Sequence, residues 1–213
     1  MTSTPAARAP RADARRNRQR VLDAASVVFA EHGTKATLND VARHAGVGVG
    51  TVYRKFPDKD ALLDELFAHK IDSLLQLAGR AASLQDAGEA FRELLLGLME
   101  IRATDRGLDS ILAGPGRGDR FTHELAQEFL PAVDGLVARA IRAGALRADF
   151  QAQEVCLLAH MVGKVADITR GGDPDAWRRY AQLIVDGTRP SPAPLAPPSL
   201  SFQEVAAALG RDL

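Results

Sequence analysis

A single cysteine, Cys156, among 213 residues leaves no internal disulfide and no cysteine cage for zinc. A reducing compartment, the cytoplasm, is the expected location. Aromatic residues make up 5% of the chain, too few to suggest an aromatic cage around a cationic ligand. Apolar runs stay short, as at 94–96, far below the ~20 residues of a membrane span. The arginine-rich start has no apolar segment behind it, as a secretory signal would. The histidines (His32, His44, His69, His123 and His160) form no HExxH and no paired metal spacing. No Gly-x-Ser-x-Gly elbow exists, and the glycine-rich run 114–118 lacks a Walker lysine. No catalytic residue, metal ligand, cofactor or membrane partner is therefore expected, and the chain does not read as an enzyme.

Net charge is also absent, yet its distribution is uneven. Residues 1–60 hold 11 Lys+Arg against 6 Asp+Glu, a balance of +5, and residues 61–213 hold 16 against 21, a balance of −5. A basic front on an acidic body suggests an anionic partner for the front alone. Apolar positions recur at helical spacing almost throughout, and no sustained period-two alternation is present. The predicted fold class is all-α. Residues 1–14 read as a flexible basic arm, with a first helix from about Arg15 to the Gly33 stop. Thr37 and Asp40 have capping-box spacing and open a short helix to Ala45, followed by another from about Gly48 to Lys55. Long helices are expected from Asp58, from Asp86, and over 119–143, where Pro131 predicts a kink. Two more lie near 151–170 and 174–187, the latter with Asp173 as its cap. Five prolines in 189–200 predict a linker, and Ser201 and Glu204 cap a last short helix, so 189–213 is a Pro-rich linker and short helix.

The functional signal lies in residues 37–56. Two short helices joined at Gly46 have the spacing of a helix-turn-helix. Ala42 permits close crossing, and Gly46 suits a turn that needs positive φ. Val41, Ala45, Val47 and Val52 are predicted to lock the pair onto the first helix. Gly48, Val49, Gly50, Thr51, Tyr53, Arg54 and Lys55 are left facing outward. Small residues at the start of the second helix let its backbone approach base edges in a major groove about 12 Å wide. The plainer alternative is a helical hairpin in an ordinary bundle, serving as a protein-interaction module without DNA binding.

Residues 29–33 (Phe-Ala-Glu-His-Gly), Ala36-Thr37, Val41-Ala42, Ala45-Gly46-Val47, Gly50-Thr51-Val52-Tyr53, Phe56, Lys59 and Leu62-Leu63 together resemble the DNA-binding domain of the TetR/AcrR family of bacterial regulators. The resemblance covers about 15–65. It implies an all-helical homodimer that binds a palindromic double-stranded DNA operator, usually a repressor released by a small-molecule effector. It also assigns roles by position. Thr37 would donate to a phosphate, and Val49, Gly50 and Gly48 would face bases, with Val49 suited to a thymine methyl. Thr51, Tyr53 and Lys59 would hold phosphate oxygens, with Arg54 and Lys55 beside them. The chain departs from the family pattern with Gly at 48, often Ser, and Lys at 55, often His. The arm arginines Arg15, Arg16 and Arg18 either reach the DNA or form a solvated tail.

The organisation that follows is a helix-turn-helix domain over 15–75 and a helical effector-binding and dimerisation domain over 76–188. Val155, Leu158, Ala159 and Val162 mark one stripe, and Trp177, Tyr180, Ala181 and Ile184 mark another. Such a pair of helices could meet its copy in a four-helix dimer interface, with Gly163 allowing close approach, or could be intrachain core. An effector pocket would draw on Phe67, Leu95, Met99, Phe121 and Phe129, with Arg102 or His123 as polar anchors. The identity of the effector is unknown.

Overall fold

The computed structural model describes residues 9–104 and 123–209, so Phe121, the run 114–118 and the first eight residues of the arm lie outside the described residues. Among the described residues there are nine α-helices and no strand. They are α1 (Ala9–His32), α2 (Leu38–Ala45), α3 (Val49–Lys55), α4 (Lys59–Ser83), α5 (Ala87–Thr104), α6 (Leu130–Arg142), α7 (Glu154–Thr169), α8 (Trp177–Gly187) and α9 (Phe202–Leu209).

Side-chain caps set the starts of four helices, α2, α4, α5 and α9. Asp58 accepts from the Ala61 N–H at 2.8 Å at the head of α4, and Asp86 accepts from the Glu89 N–H at 2.8 Å at the head of α5. Two local expectations are corrected, and a third takes a particular form. Helix α1 begins at Ala9, so residues 9–14 are helical rather than part of a flexible arm. Pro10 fits a first turn, and the surrounding Ala and Arg are strong helix formers. At Pro131, where a kink is expected, the helix departs from regular α geometry in the turn before it. The turns at Leu125–Phe129 widen to a π-helix, and Leu130 keeps φ −61° and ψ −40°. A wide turn is a usual way to accommodate a residue that lacks the N–H of an i→i−4 bond. Asp173 does not cap α8, which starts at Trp177. Its carboxylate accepts instead from the Asp175 N–H at 3.0 Å, a local turn that competes with helix.

The helices pack around two cores. Val21, Ala25, Val28 and Phe29 of α1, the inner faces of α2 and α3, and Leu62 to Ile71 on the first half of α4 build the core of a small head. Leu74, Leu77 and Ala81 on the second half of α4 join α5, α6, α7 and α8 in the core of a larger body. Leu75 and Leu125 pack against both. Fully buried Leu94, Leu95 and Met99 place α5 at the centre of the body. Each such side chain contributes about 1.5–3 kcal/mol by leaving water. Two glycines bring α5 close to its neighbours: a Cβ at Gly97 would lie 2.6 Å from Leu77 Cδ1, and one at Gly163 would lie 3.3 Å from the Arg102 carbonyl oxygen. The close approach expected of Gly163 is therefore made within the chain.

The proline-rich segment after α8 is tied down. Buried Arg147 donates to both oxygens of Asp149, at 2.5 and 3.0 Å, and to the Ala193 carbonyl at 3.1 Å. Asp149 also accepts from the Leu195 N–H at 2.7 Å, and Gln153 donates to the Leu200 carbonyl at 2.7 Å. An arginine is tolerated inside only when so paired. The Arg147 guanidinium, with the Leu195 N–H, holds the Asp149 carboxyl far below its ordinary range. Ser201 and Glu204 form the expected capping box, with Ser201 N–H and hydroxyl both donating to the Glu204 carboxylate at 2.8 and 2.7 Å. Among the described residues, no helix is long and apolar enough to cross a membrane.

Candidate nucleic-acid interface

The site is built on the α2–α3 pair. Thr37 caps α2 with a reciprocal box: its Oγ1 accepts from the Asp40 N–H at 3.2 Å, while its own N–H and hydroxyl donate to Asp40 Oδ2 at 3.0 and 2.6 Å. These bonds from Thr37, and then the Arg43 charge, hold the Asp40 carboxyl below its ordinary range. At the other end Gly46 adopts φ 63° and ψ 37°, a left-handed conformation that costs a glycine little. The Val47 N–H then returns to the Ala42 carbonyl at 3.1 Å. Arg20 of α1 donates to the Ala45 carbonyl at 2.8 Å, placing a cation at the negative end of α2. Val41, Ala42 and Val52 are completely buried in the core of the head, and Phe56 nearly so, which fixes the crossing of the two helices.

This packing leaves one face of α3 in solvent. Gly48, Val49, Gly50, Tyr53, Arg54 and Lys55 are exposed, and Thr51 is half-buried. Val49 and Tyr53 stand 45% and 47% exposed, one helical turn apart. Arg54 donates to Thr51 Oγ1 at 3.2 Å, and α3 carries two cations and no acid. A Cβ at Gly50 would meet nothing within 4 Å, and one at Gly48 only Thr51 Oγ1 at 3.8 Å. Nothing inside the chain requires those two positions to be glycine. Gly48 is the N-cap, where glycine is common, but Gly50 lies inside the helix, where glycine is about 1 kcal/mol worse than alanine, so the bare start of α3 suits close approach of something from outside.

Other residues assigned to this interface have intramolecular duties. The Lys59 ammonium lies 5.2 Å from the centre of the Phe29 ring, a cation–π contact at the first residue of α4. Both Thr37 donors are already spent on Asp40. Arg18 pairs with Glu65 of α4, so it belongs to the fold rather than to a loose tail. The side chain of Arg15 lies outside the described residues. Arg43 was missed by sequence reasoning. It donates to Asp40 Oδ1 at 2.5 Å and remains 78% exposed. A groove between α1 and α2 is lined by Glu31, His32, Gly33, Lys35, Asp40 and Arg43. Its two acids balance its lysine and arginine, so it favours neither sign of charge.

Of the residues expected at an effector pocket, Phe67, Leu95, Met99 and Phe129 are buried, Arg102 is half-buried, and His123 is exposed. Phe67 lies in the head core, whereas Leu95, Met99 and Phe129 lie in the body core. Leu125 packs against both cores, and Phe121 lies outside the described residues. Arg102 meets His160 Nδ1 at 3.1 Å. Of the residues expected at a subunit interface, Val155, Ala159, Val162, Trp177 and Ala181 are buried within their own chain. A side chain that is already enclosed has no surface left for a partner. Leu158 and Ile184 are half-buried and Tyr180 is exposed. The exposed apolar residues beside them are Met161, Ile168 and Leu183. They were missed because the stripe that fits a helical period best is the one facing the core. Burial pushes the Cys156 thiol up to about 11, which opposes thiolate chemistry.

Comparison with known proteins meets this geometry. A family model described as bacterial regulatory proteins, tetR family, matches residues 21–66, and one described as the C-terminal domain of SbtR-like transcriptional regulators matches 86–190. The transcriptional repressor LfrR of Mycolicibacterium smegmatis is 47% identical over 57 residues, which span 27% of this chain and 30% of that repressor. The structure resembles that of a TetR transcription regulatory protein from Mycobacterium vanbaalenii. That protein is 32% identical with a TM-score of 0.62, and the match covers 84% of this chain and 98% of the other. It also resembles the transcriptional regulator FadR of Bacillus subtilis in complex with stearoyl-CoA. There the TM-score is 0.60 at 19% identity, over 81% of this chain and 100% of that one, a likeness of fold.

Proposed function

The chain belongs to the TetR family of bacterial transcriptional regulators, with a DNA-binding helix-turn-helix at its head, and we propose that it acts as a homodimeric repressor released from a palindromic operator by a small molecule. The observation that carries the reading is the exposed, acid-free face of α3, whose first turn is glycine, valine and glycine. Each subunit lays that face in a major groove. Val49 reaches thymine methyls, and Tyr53, Lys55 and Lys59 engage backbone phosphates. Lys59 does so by leaving the Phe29 ring. The two half-sites lie one or more helical turns apart. An operator of this kind places the protein in the cytoplasm.

Dimerisation supplies the two-fold symmetry. Met161 and Ile168 on α7 and Tyr180 and Leu183 on α8 present large apolar side chains to solvent, and a second copy buries them. The effector enters the body between α4, α5 and α6. The bound acyl-CoA of the Bacillus subtilis regulator supports a small molecule as the ligand of this fold. Release requires that the effector bind the state with its heads apart more tightly than the DNA-bound state. Helix α4, half in each core, is the element that carries the change.

Fluorescence anisotropy with labelled duplex from upstream of the gene, beside a scrambled duplex and across a salt series, tests the proposal. Tight binding that greatly exceeds the scramble is expected. Tyr53→Phe and Lys59→Ala weaken binding on every sequence, and the latter lowers the salt slope by about one. Absence of binding to either duplex at low salt would overturn the reading in favour of a protein-interaction module.

A further inference from the structure

We propose that Arg43 is the phosphate clamp on the α2 side of this interface, and that Thr37, expected in that role, serves the fold instead. The inference rests on the DNA-binding reading and adds to it a residue and a chemistry. Both donors of Thr37 are engaged by one carboxylate oxygen, Asp40 Oδ2, at 3.0 and 2.6 Å. A phosphate could take them only by dismantling the cap of α2.

Arg43 has the opposite character. It stands on the outer face of α2, one turn after exposed Asn39 and opposite the buried Leu38, Val41, Ala42 and Ala45. In a helix-turn-helix this first helix crosses the DNA backbone. One guanidinium nitrogen donates to Asp40 Oδ1 at 2.5 Å, which restrains a side chain that is otherwise 78% exposed. The guanidinium has five N–H donors in a planar fork, so one bond to Asp40 leaves donors for a phosphate. Asp40 is thus a positioning residue. Its carboxylate is occupied by Thr37 and Arg43, and the pair presents the planar donor that suits phosphate.

The test uses the full-length chain and an operator duplex selected from random DNA by that chain, with a scrambled duplex beside it. Arg43→Gln keeps a helix-compatible side chain at an exposed site, so its unfolding midpoint stays with that of the parent. It weakens binding to both duplexes by about tenfold and lowers the slope of log affinity against log salt by about 0.9. Arg43→Lys restores the slope and part of the affinity. An unchanged slope and affinity in Arg43→Gln, while Lys59→Ala still lowers both, would overturn the clamp and leave the DNA-binding reading intact. Failure of the parent chain to select any duplex would overturn the DNA-binding reading itself.

Discussion

The head and the body are both helical and both built on leucine-rich cores, but they wear their purposes differently. In the head the packing is tight enough that each outward position is forced. Val41, Ala42 and Val52 are completely buried, so α3 has one face left to offer and the residues on it can be named. In the body the same physics hides the purpose. Leu95 and Met99 are as completely buried as any head residue, and burial alone does not separate a core position from the wall of a ligand site. A constrained small domain declares its surface, whereas a large bundle declares only its interior.

Core truncation offers the largest way to sharpen the contrast. Phe67→Ala in the head should cost about 3–5 kcal/mol and Met99→Ala in the body about 2–5 kcal/mol, read from denaturant midpoints. Separate effects on two resolved transitions would make the regions independent, and a shift of one common transition would make them one unit. Next in size, Ile168→Glu with Leu183→Glu should convert dimers to monomers in sedimentation at unchanged helicity. Dimers that persist would return the exposed stripe to ordinary surface. Thr37→Ala should then cost about 1 kcal/mol, the value of a helix cap, with no cost if the box is incidental.

A smaller effect concerns the passage from head to body. Burial draws the Lys70 ammonium down to about 8 against the pull of Asp23. The native chain therefore binds fewer protons than the unfolded chain between about 8 and the ordinary 10.5. Stability should rise with pH across that window, and Lys70→Met should remove the rise. A parent curve that is flat there would contradict the burial. Smallest is the strap over the body. The Asp149 carboxyl is depressed, so its contribution is present above the ordinary 3.8 and is lost only as pH falls through its much lower native value. The Leu195 amide should stay protected from exchange at pH 4 in the parent chain and exchange freely in Asp149→Asn.

Legibility followed the range of the interactions. Thr37 with Asp40, Gly46, and Ser201 with Glu204 could be read because a cap or turn is settled within four residues. The outward set on α3 could be read because two short helices have few ways to pack on a third. Arg43 was hidden because its role depends on which donors Thr37 has left. Met161, Ile168 and Leu183 were hidden because a helix buried on one side and apolar on the other shows two stripes, and periodicity ranks only the stronger. The tie from Arg147 to Ala193 spans 46 residues, and composition reported only the prolines between.

Leu75 and Leu125, which pack against both cores, bear on how the molecule responds to heat and to ligand. Because α4 runs unbroken through both cores, no solvated linker separates the two parts, and the single common transition of the truncation test is the expected one. On the proposed function, occupancy of the body would then be felt as a load on the head. For the effector proposed above, α4 would be grip and lever in one.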